Sequence, residues 1–138
     1  MPFTVAVLDE AGYGGLDPAL ATRLCAAAFS HRRFDVERLG ELSIALVESH
    51  VIRDLNLRFR GKDEPTDVLS FEVDGPYGEM VGEVVICPAF ASPEMGVEEL
   101  VVHGVLHLSG MDHGQEFEGS EMALAQGAVM GAVSDAQR

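Results

Sequence analysis

The sequence predicts an α+β domain in which a small mixed sheet of about four strands is packed with helices. Three observations predict it. Short apolar runs of strand length alternate with longer segments of helical period, and two neighbouring runs are joined by the short turn GPYG. With 138 residues, 47% of them hydrophobic and 23% charged, the chain has the size and composition of one globular unit with one sizeable core. The whole chain, 1–138, is therefore taken as a single domain, without internal repeat, low-complexity tract or linker.

The elements follow in order. FTVAVLD alternates as a strand does, and Gly12, Gly14 and Gly15 break it. A helix is expected next, with Asp17 as its cap, Pro18 in its first turn, and Leu20, Leu24 and Ala27 or Ala28 at helical spacing. LSIALV at 42–47 is a second strand, apolar on both faces. Ser49 is expected to cap a short amphipathic helix with Ile52, Leu55 and Phe59 as its buried stripe and Arg53, Asp54 and Arg58 outward. RGKDEPTD is a turn-rich loop, VLSFEV at 68–73 a third strand, and GEVVIC at 82–87 a fourth, closed by Pro88. A helix over 93–109 is expected next: Ser92 caps it, Pro93 takes its first position, Glu94 its first turn, and Gly110 ends it. EFEGSEMALAQGAVMGAV is a final helix, weakened by Gly127 and Gly131.

Nine basic against twenty-three acidic side chains give a formal charge of −14, which argues against a broad phosphate-binding surface. The distribution is uneven, however. Seven of the nine basic residues fall between positions 32 and 62, whereas from Ser92 onward eight acids meet only Arg138. Contact with a polyanion would have to use the middle of the chain. The two cysteines, Cys25 and Cys87, stand far apart and in no CxxC pairing, so neither a zinc knuckle nor a disulfide framework is indicated, and a reducing compartment fits. MPFTVAVLDE lacks the basic start of a signal peptide, and the longest uncharged runs are too short to span a membrane. A soluble, cytoplasmic protein is expected.

Residues 103–113, HGVLHLSGMDH, hold three of the five histidines. On a helix, His103 and His107 lie one turn apart on one face, and a left-handed Gly110 can reverse the chain to bring His113 to the same point. One histidine on an apolar helix is more often a hydrogen-bonded core residue than a ligand. Three at this spacing supply three nitrogen ligands and leave a fourth tetrahedral position open, as a catalytic zinc site does. The spacing is that of the metzincin peptidases, HExxHxxGxxH, except that Gly104 stands in place of the glutamate that acts as their general base. That absence counts against peptide hydrolysis.

HGVLHLSGMDH, together with RGKDEPTDVLSFEV and GEVVI, closely resembles the YbeY family of bacterial endoribonucleases, over about 42–122. The resemblance implies an α+β fold and identifies His103, His107 and His113 with the family's zinc ligands and Arg60 with its functionally important arginine. It further implies a Zn2+-dependent cleavage of single-stranded RNA in small-subunit (16S) ribosomal RNA maturation and ribosome quality control. The implied partners are ribosomal RNA precursor, small-subunit ribosomal proteins and a ribosome-associated GTPase, with no membrane. The chain departs from the family pattern at Met111, where an aromatic is common, at Glu83, where Asp is frequent, and in a short segment of sixteen residues between Ile86 and His103.

Arg60 lies in the basic section, at a helix end, where its guanidinium can meet a phosphate. Lys62 is a weaker companion. Thr66 and Ser70 are assigned to turn and strand, Asp67 to capping or bracing the loop, and His31 and His50 to surface or capping positions without an assigned role. Asp112 is open to two roles, general base or support for the adjacent histidine. Two other functions remain open: a peptidase or amidase with the same metal site, and a non-catalytic, metal-stabilised factor whose acidity suits basic ribosomal proteins.

Overall fold

The computed structural model describes residues 3–35, 39–74, 80–111 and 121–136. Four strands, β1 (Thr4–Asp9), β2 (Leu39–Leu46), β3 (Val68–Asp74) and β4 (Met80–Ile86), form one sheet in the order β1-β2-β4-β3. β1 and β4 each run parallel to β2, while β3 runs antiparallel to β4, so the sheet is mixed as the sequence predicts. The helices are α1 (Pro18–His31), α2 (Ser49–Arg60), α3 (Val97–Leu108) and α4 (Glu121–Ala136).

Strand alternation divides the core in two. Leu42, Ile44 and Leu46 of β2 and Val84 and Ile86 of β4 point to one face, into a large cluster with α1, α3 and α4. Ala45 and Val47 of the β2 segment, with Leu69, Val85 and Cys87, point to the other, where α2 covers them through Ile52, Val51 and Leu55. An apolar run on both faces, as in LSIALV, is what a central strand between two helical layers requires.

Local signals set most boundaries. The Asp17 carboxylate accepts from the Leu20 amide at 3.2 Å, and Pro18 opens α1. At the other end of α3, the Gly110 amide donates to His107 O and the Met111 amide to Leu106 O, with Gly110 at φ +99°. These are the two bonds of a Schellman motif, and they stop the helix where the sequence places its glycine. Before α1, the Asp9 carboxylate accepts from the Gly14 and Tyr13 amides, at 2.7 and 2.9 Å, and those bonds hold it below the usual carboxylate range.

Four expectations need correction. β2 begins at Leu39 and β4 at Met80, earlier than their apolar runs, because pairing with neighbouring strands extends them past their hydrophobic pattern. Ser49 is not the cap of α2: Glu48 holds that place with an extended backbone and no side-chain cap bond. Phe59 is not buried; it is 64% exposed, beyond the end of the cluster that Ile52 closes. The third helix starts at Val97, four residues later than expected. The Ser92 hydroxyl accepts from the Met95 amide at 2.9 Å inside a turn, and Gly96 becomes the cap. Serine followed by proline starts turns as readily as helices, and here the turn prevails. The GPYG turn and positions 116–120 of the expected last helix lie outside the described residues; from Glu121 that helix is present, with Gly127 and Gly131 on its exposed side.

α3 lies unusually close to the sheet. A Cβ on Gly104 would sit 2.5 Å from Val84 Cγ1 and 3.1 Å from Ser70 Oγ, and one on Gly82 would sit 3.1 Å from Leu108 Cδ1. Ser70 Oγ donates to Gly104 O at 2.9 Å and fixes the approach. Gly104→Ala should therefore destabilise the fold by roughly 1–2 kcal/mol, because overpacking at about 1–3 kcal/mol outweighs the ~1 kcal/mol gained in helix propensity. Urea unfolding checks this, and the Val84→Ala partner should make the double variant less than additive.

Candidate functional site

α3 is apolar on almost every side: Val97, Leu100, Val101, Val102, Val105, Leu106 and Leu108 are all buried. Gly104 and Leu108 face the sheet, so His103 and His107, each one position before them, lie together about 100° round the helix from the sheet-facing line. His103 and His107 meet there as neighbours one turn apart, with ring centroids 4.8 Å apart at 72° and their Nε2 atoms 3.2 Å apart. His103 is 7% exposed and His107 half-buried.

A side chain that the sequence did not single out sets the chemistry of this pair. Gln126 of α4 is itself buried, and its Nε2 donates to the Met95 thioether sulfur at 3.2 Å. A thioether only accepts, which turns the amide oxygen the other way, to His103 Nδ1 at 3.3 Å. His103 Nδ1 therefore carries the proton and donates to that oxygen, and its Nε2, facing His107, carries a lone pair. Holding the outer nitrogen of a ligating histidine in this way is the usual support of a metal site.

The arrangement suits a cation. Two nitrogens each about 2.0–2.1 Å from one tetrahedral zinc ion lie about 3.3 Å apart, and the observed Nε2 separation is 3.2 Å. The donor set, two imidazoles with the ring of one oriented from behind, is what zinc takes. His113 and Asp112 lie outside the described residues, and among the described ones no group of three His, Cys, Asp or Glu side chains gathers. The Schellman motif at Gly110 ends the helix three residues after His107, and the path from Asp112 to His113 lies outside the described residues.

Arg60 is placed differently. It is the last residue of α2, exposed, and α2 covers the face of the sheet opposite α3. No described contact joins it to either histidine. Its neighbours Arg53 and Arg58 are paired with Asp63, at 2.8 Å, and Asp54, at 3.2 Å. Arg60 and Lys62 form no ion pair among the described residues. Asn56, buried in α2, donates to Glu64 O at 2.9 Å and ties down the loop that follows. Thr66 contacts Asp67 at 3.4 Å, and the Asp67 carbonyl accepts from the Cys87 amide, so the bracing role expected of Asp67 falls in part to its backbone. His50 lies on the surface beside Glu48, 3.6 Å away, in a concavity lined also by Tyr13 and Pro88 that contains none of the candidate residues.

Gln126 was legible only as one amide in an otherwise apolar helix. Nothing local in MALAQGAVMGAV says what it faces; that depends on α4 lying across α3.

Comparison with known proteins agrees with this architecture. A family model described as Endoribonuclease YbeY matches residues 18–134. A protein of Rubrobacter xylanophilus named Endoribonuclease YbeY is 68% identical, over 96% of this chain and 98% of its own length. One of Mycolicibacterium smegmatis with the same name is 35% identical, over 89% of this chain and 79% of its own length. Among solved structures, the solution structure of a Thermotoga maritima protein superposes with a TM-score of 0.53 at 28% identity, covering 98% of this chain and 92% of that one.

If Gln126 sets the tautomer of His103, nitrogen-15 NMR should find that ring protonated on Nδ1. Gln126→Leu should move it toward the Nε2–H form and cost about 1–2 kcal/mol in unfolding free energy through the lost hydrogen bond. An unchanged tautomer in the variant would contradict the assignment.

Proposed function

The chain belongs to the YbeY endoribonuclease family, and on that premise we propose that it is a zinc-dependent endoribonuclease that cleaves single-stranded RNA. Its task on this reading is small-subunit (16S) ribosomal RNA maturation and ribosome quality control, in the cytoplasm. RNA precursor is the substrate, small-subunit ribosomal proteins are docking partners, and a ribosome-associated GTPase is a co-worker. The observation that carries the chemical part is the Nε2 pair of His103 and His107, 3.2 Å apart, at the spacing that two ligands of one tetrahedral ion need. His113 is the third ligand in this proposal.

Zn2+ held by these rings supplies Lewis acidity toward a phosphodiester. The protein's own side chains do the rest. Gln126 keeps the His103 lone pair directed inward, and the apolar packing of α3 fixes both rings. Arg60 offers a guanidinium without a carboxylate partner among the described residues, able to hold phosphoryl oxygens with two parallel hydrogen bonds and to steady charge that builds on them. A net charge of −14 makes such a free cation valuable, since most of the surface repels the substrate.

The peptidase alternative lacks support in the geometry. The position that would carry its glutamate has no room for even a Cβ.

Protein purified without an affinity tag should carry a single zinc per chain and cleave a single-stranded RNA. His107→Ala should lose the metal, and Arg60→Glu should lower cleavage by on the order of 10²-fold while keeping the metal. Cleavage that survives both changes would mean a contaminating nuclease. Zinc retained with no cleavage, together with co-sedimentation with small ribosomal subunits, would favour a non-catalytic factor. A chelator should abolish activity, and restored zinc should return it.

A further inference from the structure

Phe59 presents a problem of physical chemistry. It stands where helical spacing calls for a core residue, yet it is 64% exposed. Its ring lies 5.1 Å from that of Phe71 at 66°, on the α2 face of the edge strand β3. Val73, two residues further along that strand on the same face, is 55% exposed. Phe71 only borders the cluster beneath α2, so the core ends at this pair and leaves an aromatic surface open to solvent.

The charges around it are selective. Of the four cations in RDLNLRFRGK, Arg53 and Arg58 are neutralised by Asp63 and Asp54. Arg60 and Lys62, which follow Phe59 directly, form no ion pair among the described residues. Gly61 between them turns left-handed at φ +71°, and the Lys62 amide donates to Asn56 O, so both cations sit on a fixed turn beside the ring. On the opposite flank, exposed Glu83 of β4 is the direct cross-strand partner of Phe71. Anionic backbone is therefore favoured on the α2 side and repelled from the β4 side.

Resting on the nuclease reading above, we propose that Phe59 and Phe71 form a stacking platform for bases of single-stranded RNA, with Arg60 and Lys62 holding the adjoining phosphates. Any base has a π-face, so such a platform accepts single strands without regard to sequence, and a duplex cannot offer it unstacked bases. A basic protein would be drawn to the acids of this chain and away from two unpaired cations. The platform lies on the α2 face of the sheet and shares Arg60 with the cleavage reading above.

The test is fluorescence anisotropy with a labelled 2′-O-methyl single strand and its duplex, using the full chain with circular dichroism as a fold control. Phe59→Ala should weaken single-strand binding about tenfold, leave the salt dependence unchanged and leave the duplex unaffected. Phe59→Tyr should restore binding. Lys62→Gln should instead reduce the salt slope by about one phosphate contact. The platform is overturned if Phe59→Ala binds like the parent, if it weakens single strand and duplex alike, or if it loses only a basic ribosomal protein. Cleavage by the parent with unchanged binding by Phe59→Ala removes the platform alone. Phe59-dependent binding without any cleavage removes the nuclease reading alone. A parent that binds no single strand removes both.

Discussion

At Gly104 the backbone of α3 approaches the sheet so closely that an added methyl would lie 2.5 Å from Val84 Cγ1. The contact is closed by the Ser70 hydroxyl on the Gly104 carbonyl and repeated a turn later by Leu108 against Gly82. With the sheet-facing line of the helix set by Gly104 on the helix and by Leu108 seated over Gly82 on the strand, the rotation of α3 about its own axis is determined. Close-packed interiors do not deform continuously, so the directions of the side chains at 103 and 107 are determined with it. The histidine pair owes its alignment to a glycine that has no part in the chemistry.

Orientation alone would leave a polar ring in an apolar layer, at a cost of several kcal/mol for groups buried without partners. The chain avoids this with a relay from Met95 through Gln126 to His103. Each link has one possible direction, because the sulfur only accepts and the amide has one donating and one accepting end. The result is a specific tautomer. The turn at 92–95 that displaces the start of α3 also supplies Met95, so the shortened segment before the helix serves the site.

The two faces of the sheet divide the labour. One carries α1, α3, α4 and the imidazole pair, His103 buried and His107 half-buried. The other carries α2, whose apolar contact is small and whose far end holds cations and aromatic rings in the open. Of the four cations between Arg53 and Lys62, the two without an ion pair among the described residues sit in one turn, and anion contact on this face is drawn to that turn. No helix among the described residues is long and apolar enough to cross a membrane.

Local chemistry in the sequence was enough for the α+β class, the cap at Asp17, the stop at Gly110 and the pairing of His103 with His107, because each rests on groups within a few residues of one another. Strand order, the exposure of Phe59, the turn that Ser92 forms in place of a cap, and the role of Gln126 were decided elsewhere. Gln126 reaches His103 across 23 positions and Met95 across 31. Such contacts exist only once α4 has packed on α3, and whether a phenylalanine at helical spacing is covered depends on where the neighbouring layer ends. Periodicity records which side of an element is apolar; only the folded neighbours determine what, if anything, meets it.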